Sequence, residues 1–290
     1  MNRIYIIATI FPFLFCSFIQ VQAQNREPQN IYRVTVNSRY VLEDGKRTSK
    51  FFAIGQQISD SLGRLHTEID YDWETRRPDN YRWHYFDGQK KVKTDLFVSS
   101  QLARINKYTY NDDGNLDELV IYNVTQSDTA FVVQEVYSYT DGLLTNVVGY
   151  NERGRRGFRA RYRYDANGNE ISRRVRGQRA VPSDSIMALE RTLVYDSLGR
   201  IVRESKTLTK LGEPEQTSIM EYKYNDRGLL AEKSVFSSQN ELHKRIEYNY
   251  RRDNRIQQKI VYDGDDNLID YLAWRYEIYR TPDRRHRVLE

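Results

Sequence analysis

The chain has 290 residues, with 45 Lys or Arg against 40 Asp or Glu and a formal net charge of +5. A mean hydropathy of −0.78 beside 13% aromatic residues excludes a thick apolar core and fits a thin sheet whose tyrosines bury rings and keep hydroxyls wet. So mild a positive balance gives no reason to expect a nucleic-acid partner.

Residues 1–23 read as a secretory signal peptide. Met1-Asn2-Arg3 precedes an apolar run from Ile4 to Ile19, and Val21-Gln22-Ala23 suits a signal peptidase, so cleavage is expected after Ala23. The run is short for a span and Pro12 interrupts it, so no transmembrane anchor is expected in the mature chain. The single cysteine, Cys16, lies inside the leader, and Phe15 before it does not suit lipoprotein processing. The mature chain then has neither a disulfide nor thiol chemistry. It keeps one base fewer than the full chain's 45 against the same 40 acids, a net of about +4. The expected location is exported: periplasmic, extracellular or on the cell surface.

N-terminal strands are predicted over 24–57, with 24–30 frayed. From residue 58 to 280 a phrase recurs: Tyr-x-Tyr-Asp/Asn-x-x-Gly-x-Leu/Ile. It reads Tyr108 to Leu116, Tyr162 to Gly168, Leu193 to Ile201, Tyr222 to Leu230 and, with Asn254 for Gly, Tyr248 to Ile256. Gly63, Gly88, Gly114, Gly142, Gly168, Gly199 and Gly228 recur every 25–31 residues. Such a period marks an array of one small unit. Each unit reads as a β-hairpin, because apolar residues alternate on either side of the turn: Ile246, Tyr248 and Tyr250 before it, Ile256, Ile260 and Tyr262 after it.

The predicted fold is therefore all-β: an antiparallel meander of tandem β-hairpin repeats in one extended, twisted or curled sheet. It should hold about 14–18 strands and almost no helix. The turn glycines should adopt positive φ. Tyr110, Tyr139, Tyr164, Tyr195, Tyr224 and Tyr250 should form a core stripe facing Leu116, Leu144, Ile201, Leu230 and Ile256. No Pro- or Gly-rich linker divides the array, and 281–290 reads as a flexible tail.

The phrase resembles the Rhs, or YD (Tyr-Asp), repeats of large secreted and toxin-associated β-rich bacterial proteins. The stretch 195–201 carries the resemblance, with looser copies at 108–116, 162–168, 222–230 and 248–256. The resemblance covers 58–276 and implies an exported, β-rich repeat protein. Family copies wind into a sheet that can form a shell; so short a chain is expected to stay unclosed.

Chemistry-bearing patterns are sparse. His66, His84, His243 and His286 show no paired metal-ligand spacing, and no nucleophile, zincin or phosphate-loop signature occurs. No cofactor or metal is expected, and no catalytic residue is assigned. Asp263-Gly-Asp-Asp-Asn267 has the composition of a calcium loop without its spacing and reads as a hairpin turn. Asn123-Val-Thr125 is a formal glycosylation sequon, and Asp128-Thr-Ala130 and Asp184-Ser-Ile186 resemble O-glycan acceptor triplets.

The arginines of 153–179 stand out. With Phe158, Ala160, Tyr162 and Tyr164 on one face, Arg159, Arg161 and Arg163 share the other, and folding about Gly168 sets Arg161 opposite Arg173 or Arg174. Like charges directly opposite are destabilising. Arg159, Arg161, Arg163, Arg174 and Arg176 are therefore the anion-binding candidates. Neutralisation by Glu135, Glu190 or Glu204 from adjacent strands is the competing account.

The leading functional reading is an exported, non-enzymatic repeat protein acting as a binding or structural scaffold. Its partner would be an anionic polysaccharide, a lipid headgroup or another cell-envelope protein. The alternatives are an outer-membrane β-barrel and a secreted carbohydrate-active hydrolase with a carboxylate pair.

Overall fold

The computed structural model describes residues 32–72, 74–177, 186–210 and 212–279. The expected signal peptide and C-terminal tail lie outside the described residues. Among the described residues there is no helix, and there are eighteen strands. The first six are β1 (Tyr32–Glu43), β2 (Lys46–Ser59), β3 (Leu65–Tyr71), β4 (Pro78–Asp87), β5 (Lys90–Val98) and β6 (Gln101–Tyr110). Then come β7 (Leu116–Val124), β8 (Thr129–Thr140), β9 (Leu143–Asn151), β10 (Arg156–Tyr164), β11 (Glu170–Gly177) and β12 (Ile186–Tyr195). The last are β13 (Ile201–Lys210), β14 (Gln216–Tyr224), β15 (Leu230–Ser237), β16 (Leu242–Tyr250), β17 (Ile256–Asp263) and β18 (Leu268–Tyr279).

Each strand pairs antiparallel with its chain neighbours, as a meander requires. The sheet does not stay open, however. β1 also pairs with β18, from Tyr32↔Tyr279 to Arg39↔Leu272, and an ion pair of Arg39 with Asp270 at 3.2 Å spans the seam. The eighteen strands thus close into a barrel, which corrects the expected extended or curled sheet. The physical reason is that an open sheet leaves two rows of unpaired backbone groups, and closure satisfies both. Within the predicted N-terminal strand region, the described residues form β1 and most of β2, staves of the same barrel.

Eighteen strands spaced ~4.8 Å apart and tilted ~40° enclose a circumference of ~110 Å, or a diameter of ~36 Å. Extensive close backbone contact is confined to neighbouring strands, and a cylinder of that diameter holds its opposite walls farther apart than the ~10 Å at which sheets pack. The interior is therefore not an apolar core. Buried apolar side chains lie in small groups on the wall, such as Val147, Phe158 and Ala160, with Tyr137, Leu144, Tyr162 and Val175 against them.

The repeated phrase builds a fixed turn. In 60–64, 111–115, 165–169, 196–200, 225–229 and 251–255, the first amide donates to the fifth carbonyl and the fourth amide donates to the first carbonyl. The fourth residue has positive φ: 80° at Gly63, 82° at Gly114, 74° at Gly199 and 64° at Asn254. The leading Asp or Asn turns its own side-chain oxygen onto the fifth amide at 2.9–3.0 Å in five of these turns. Asp263 does the same toward Asn267, so the calcium-like sequence is one more such turn.

A β-bulge accompanies the turn. The register slips between Thr109 and Tyr110, Arg163 and Tyr164, Val194 and Tyr195, Lys223 and Tyr224, and Asn249 and Tyr250. A one-residue slip exchanges the two faces of everything beyond it. Ile256 still faces Tyr250, but Val261, 5% exposed, and not Ile260, then shares the face of Ile246. The expected alternation after the turn is corrected accordingly.

The tyrosine stripe faces the predicted partners, with Tyr110↔Leu116, Tyr139↔Leu144, Tyr195↔Ile201, Tyr224↔Leu230 and Tyr250↔Ile256. It is half-buried, and its distinguishing feature is polar. Each hydroxyl donates to a carbonyl at the start of a strand in the preceding hairpin: Tyr139 to Leu116, Tyr164 to Leu144, Tyr195 to Glu170, Tyr224 to Ile201 and Tyr250 to Leu230, at 2.6–2.9 Å. Tyr110 and Tyr276 extend the series to Lys91 and Ile256. Phe would fill the same space and leave the carbonyl unpaired, which explains why the phrase specifies Tyr. Tyr224→Phe should lower stability by ~0.5–1.5 kcal/mol in urea unfolding. An unchanged midpoint would show that the hydroxyl bond holds nothing.

Candidate functional site

The arginine hairpin is formed by β10 and β11. Arg159 lies opposite Arg176, Arg161 opposite Arg174, and Arg163 opposite Ser172. The predicted juxtaposition of arginines is therefore present, in the Arg174 register. Phe158 and Ala160 are each 4% exposed on the other face, and the Phe158 ring lies over Gly149, where a Cβ would meet it at 2.0 Å. That packing fixes which way the alternating arginines point.

Partners for these arginines are few. Arg174 and Arg176 both pair with Glu190 of β12, the second at 3.7 Å, and Arg159 donates to the Asn146 side-chain oxygen at 2.6 Å. Glu190 is thus the neutralising acid among the three considered. Glu204 and Glu135 lie on the opposite face, across from Leu193 and Gly149. Between the strands lies a recess of about 440 Å³ lined by Arg156, Gly157, Phe158, Arg159, Arg161, Arg174, Arg176 and Gly177. It gathers four of the five candidates; Arg163 stands outside it. Arg156 was not among the candidates, although its place at the start of β10 is legible from the alternation.

A second charged cluster occupies the tyrosine face. Glu204, 7% exposed, accepts from Arg191 at 2.7 Å and from Tyr222 at 2.6 Å, and Arg191 reaches Glu170 at 3.7 Å. Burial alone would raise the Glu204 carboxyl, but the bonds from Arg191 and Tyr222 outweigh it and hold its pKa below the usual value. A general acid needs the opposite shift, so Glu204 does not have the electrostatics of a glycosidase acid. The sequence reading missed the cluster because the bulge after Tyr195 turns Glu204 onto the tyrosine face.

Two of the histidines are held in side-chain hydrogen bonds. His66 bonds Asp60 at 3.0 Å, and His84 bonds Thr94 at 2.9 Å and Glu68 at 3.2 Å. Asn123 lies within β7 opposite Arg104 and Ala130, Asp128 sits in the β7–β8 loop, and Asp184 lies outside the described residues.

No family model matches the chain, and no curated protein matches it. Among solved structures, a porin-like protein from Bacteroides uniformis is 11% identical, with 87% of this chain and 98% of that one covered at a TM-score of 0.42. A porin-like protein from Bacteroides vulgatus is 11% identical over 84% and 97%, at 0.33. A DUF1329 family protein from Desulfovibrio piger is 8% identical over 89% and 88%, at 0.21. Scores this low assign neither activity nor partner.

Asp60 should make the barrel acid-sensitive. Burial would raise its carboxyl, but hydrogen bonds from His66 and Arg64 hold it at about 2. A depressed carboxyl contributes stability above its unfolded pKa of ~3.9 and loses it as pH falls through the folded value. Asp165, held by the Asn169 side chain and amide, and Asp196 and Asp263, held first by turn amides, shift the same way. The thermal midpoint should fall steeply between about pH 4 and pH 2. Asp60→Asn keeps the turn acceptor that Asn111 and Asn225 provide elsewhere but loses the charge that pairs with Arg64 and His66, so it should lower stability at pH 7 and flatten that fall. An unchanged acid profile would contradict the assignment.

Proposed function

We propose that this chain is an exported, non-enzymatic β-barrel of the cell envelope that encloses a hydrated, charge-lined lumen, a passage or chamber for polar solutes. The pairing of β1 with β18 carries the reading, because it turns an eighteen-strand sheet into an enclosure wide enough for its walls to stand apart. Closure favours the barrel over the open scaffold. Charges stand in mid-strand on both faces: Arg191, Glu204 and Lys233 on the tyrosine face, Arg174, Glu190 and Arg245 on the other. Whichever face lines the lumen, it is lined with charge and therefore wet. Kinship with the Rhs repeats belongs to this proposal and is carried by the turn phrase alone.

A barrel that spans the outer membrane is the second reading. Closure favours it, since a sheet without edges is the only kind that lipid tolerates. The mid-strand charges weigh against it, because each Lys or Arg facing lipid near the midplane costs ~2–4 kcal/mol. A barrel standing in water, or resting against a membrane, does not meet that penalty.

The test is small-angle scattering of the mature chain purified without detergent, together with flotation on lipid vesicles. A hollow-cylinder profile from protein that stays in the aqueous fraction is expected. A filled compact profile would overturn the lumen. Detergent-dependent solubility with conductance steps in a planar bilayer would replace the proposal by the membrane-spanning reading.

A further inference from the structure

We propose that the recess between β10 and β11 is a binding site for a ligand carrying two phosphate monoester groups. The proposal stands apart from the lumen, since it rests on one hairpin. Two arginine pairs frame the recess, Arg159 with Arg176 and Arg161 with Arg174. Partners within a pair are ~5 Å apart across the strands. The two pairs are two residues apart along each strand, or ~6.7 Å. Each pair therefore sets two guanidinium groups beside one dianion, one of them shared with Glu190, and the spacing suits a second dianion beside the first. Guanidinium is the side chain best matched to such oxyanions.

The charge is poorly balanced from within. Facing the pairs are Asn146 and Val148 on β9, and Ala188 and Glu190 on β12. Glu190 is the one carboxylate among these, and it already spans Arg174 and Arg176. Arg161, in the centre, has no ion-pair partner among the described residues. The space is also built into the backbone. Gly177 has a φ of +92°, and a Cβ there would stand 2.2 Å from the Gly157 carbonyl oxygen. Glycine is thus required where the strands approach, and nothing projects from it into the recess. A volume of about 440 Å³ lies within the ~300–1,000 Å³ of small-molecule sites and exceeds what one inorganic ion fills.

Two sources present paired phosphates: a soluble phosphorylated sugar and a lipid headgroup. The test titrates the mature chain with fructose 1,6-bisphosphate, fructose 6-phosphate and inorganic phosphate, and in a separate arm with vesicles containing phosphatidylinositol 4,5-bisphosphate, whose headgroup carries two phosphate monoesters. The bisphosphate should bind about tenfold or more tightly than either monophosphate, and binding should weaken with added salt. Arg159→Gln with Arg161→Gln should abolish the preference, while Arg203→Gln on β13 should leave it intact. Glu190→Gln, which removes the competing carboxylate, should tighten binding. The double variant should melt no lower than the parent, because it separates like charges. Binding to the vesicles but not to the soluble bisphosphate would support the site and assign the lipid source. No preference for the bisphosphate together with no vesicle binding, or affinity indifferent to both the double variant and Glu190→Gln, would overturn the proposal.

Discussion

The backbone hydrogen bonds that join β1 to β18 are the constraint on which this molecule depends. A sheet this polar gains little from burying side chains: its buried apolar residues are scattered along the wall, and buried polar groups such as Gln56, Thr94, Glu135 and Glu204 stand among them. Ladder bonds must then carry much of the stability, each worth only ~0.5–1.5 kcal/mol net in water. They are worth that only while both partners are held. An unclosed sheet would fray from two edges, and each frayed strand would expose the next. Closure removes the edges, so every strand is held from both sides.

The tyrosine hydroxyls act in the same sense. Each straps one hairpin to a carbonyl of the hairpin before it, close to the turn, where fraying begins. Cations from the strand across or from the turn loops cover several of the rings, as Arg200 does over Tyr224 at 4.6 Å and Arg255 over Tyr276 at 4.5 Å. The repeated phrase therefore encodes a turn, a bulge and a strap together. None of the three needs a core, and a wall made this way can surround water. The polar composition, which argues against a compact globule, is then consistent with a hollow one.

Local features were legible in the sequence because their causes are local. Positive φ at Gly199 follows from its place in the phrase, and the pairing of Tyr195 with Ile201 follows from the turn length. The opposition of arginines across β10 and β11 was visible for the same reason. Two things were hidden. The bulge inserts one residue that periodicity does not announce, so Glu204 and Lys233 land opposite Leu193 and Tyr222 rather than on the far face. A Tyr hydroxyl that must reach a carbonyl beside the turn is the signal from which the slip could be inferred. Closure was hidden because its partners, such as Ser38 and Ala273, lie at opposite ends of the chain. The recess needed both glycines in place, and Gly157 gives no sign in the sequence that it approaches Gly177.

The seam can be tested directly because the expected mature chain has no cysteine. Ser38 and Ala273 are directly paired across β1 and β18, which puts their Cβ atoms ~4.5–5.5 Å apart, close to what a disulfide needs. Ser38→Cys with Ala273→Cys should form an intramolecular disulfide on mild oxidation of the folded protein, at high dilution and without change in the circular dichroism. Ser38→Cys with Ser205→Cys, which places the partner on β13, should not. Efficient cross-linking of the seam pair is the result that closure predicts; a seam pair that stays reduced, or links only between molecules, would contradict the barrel.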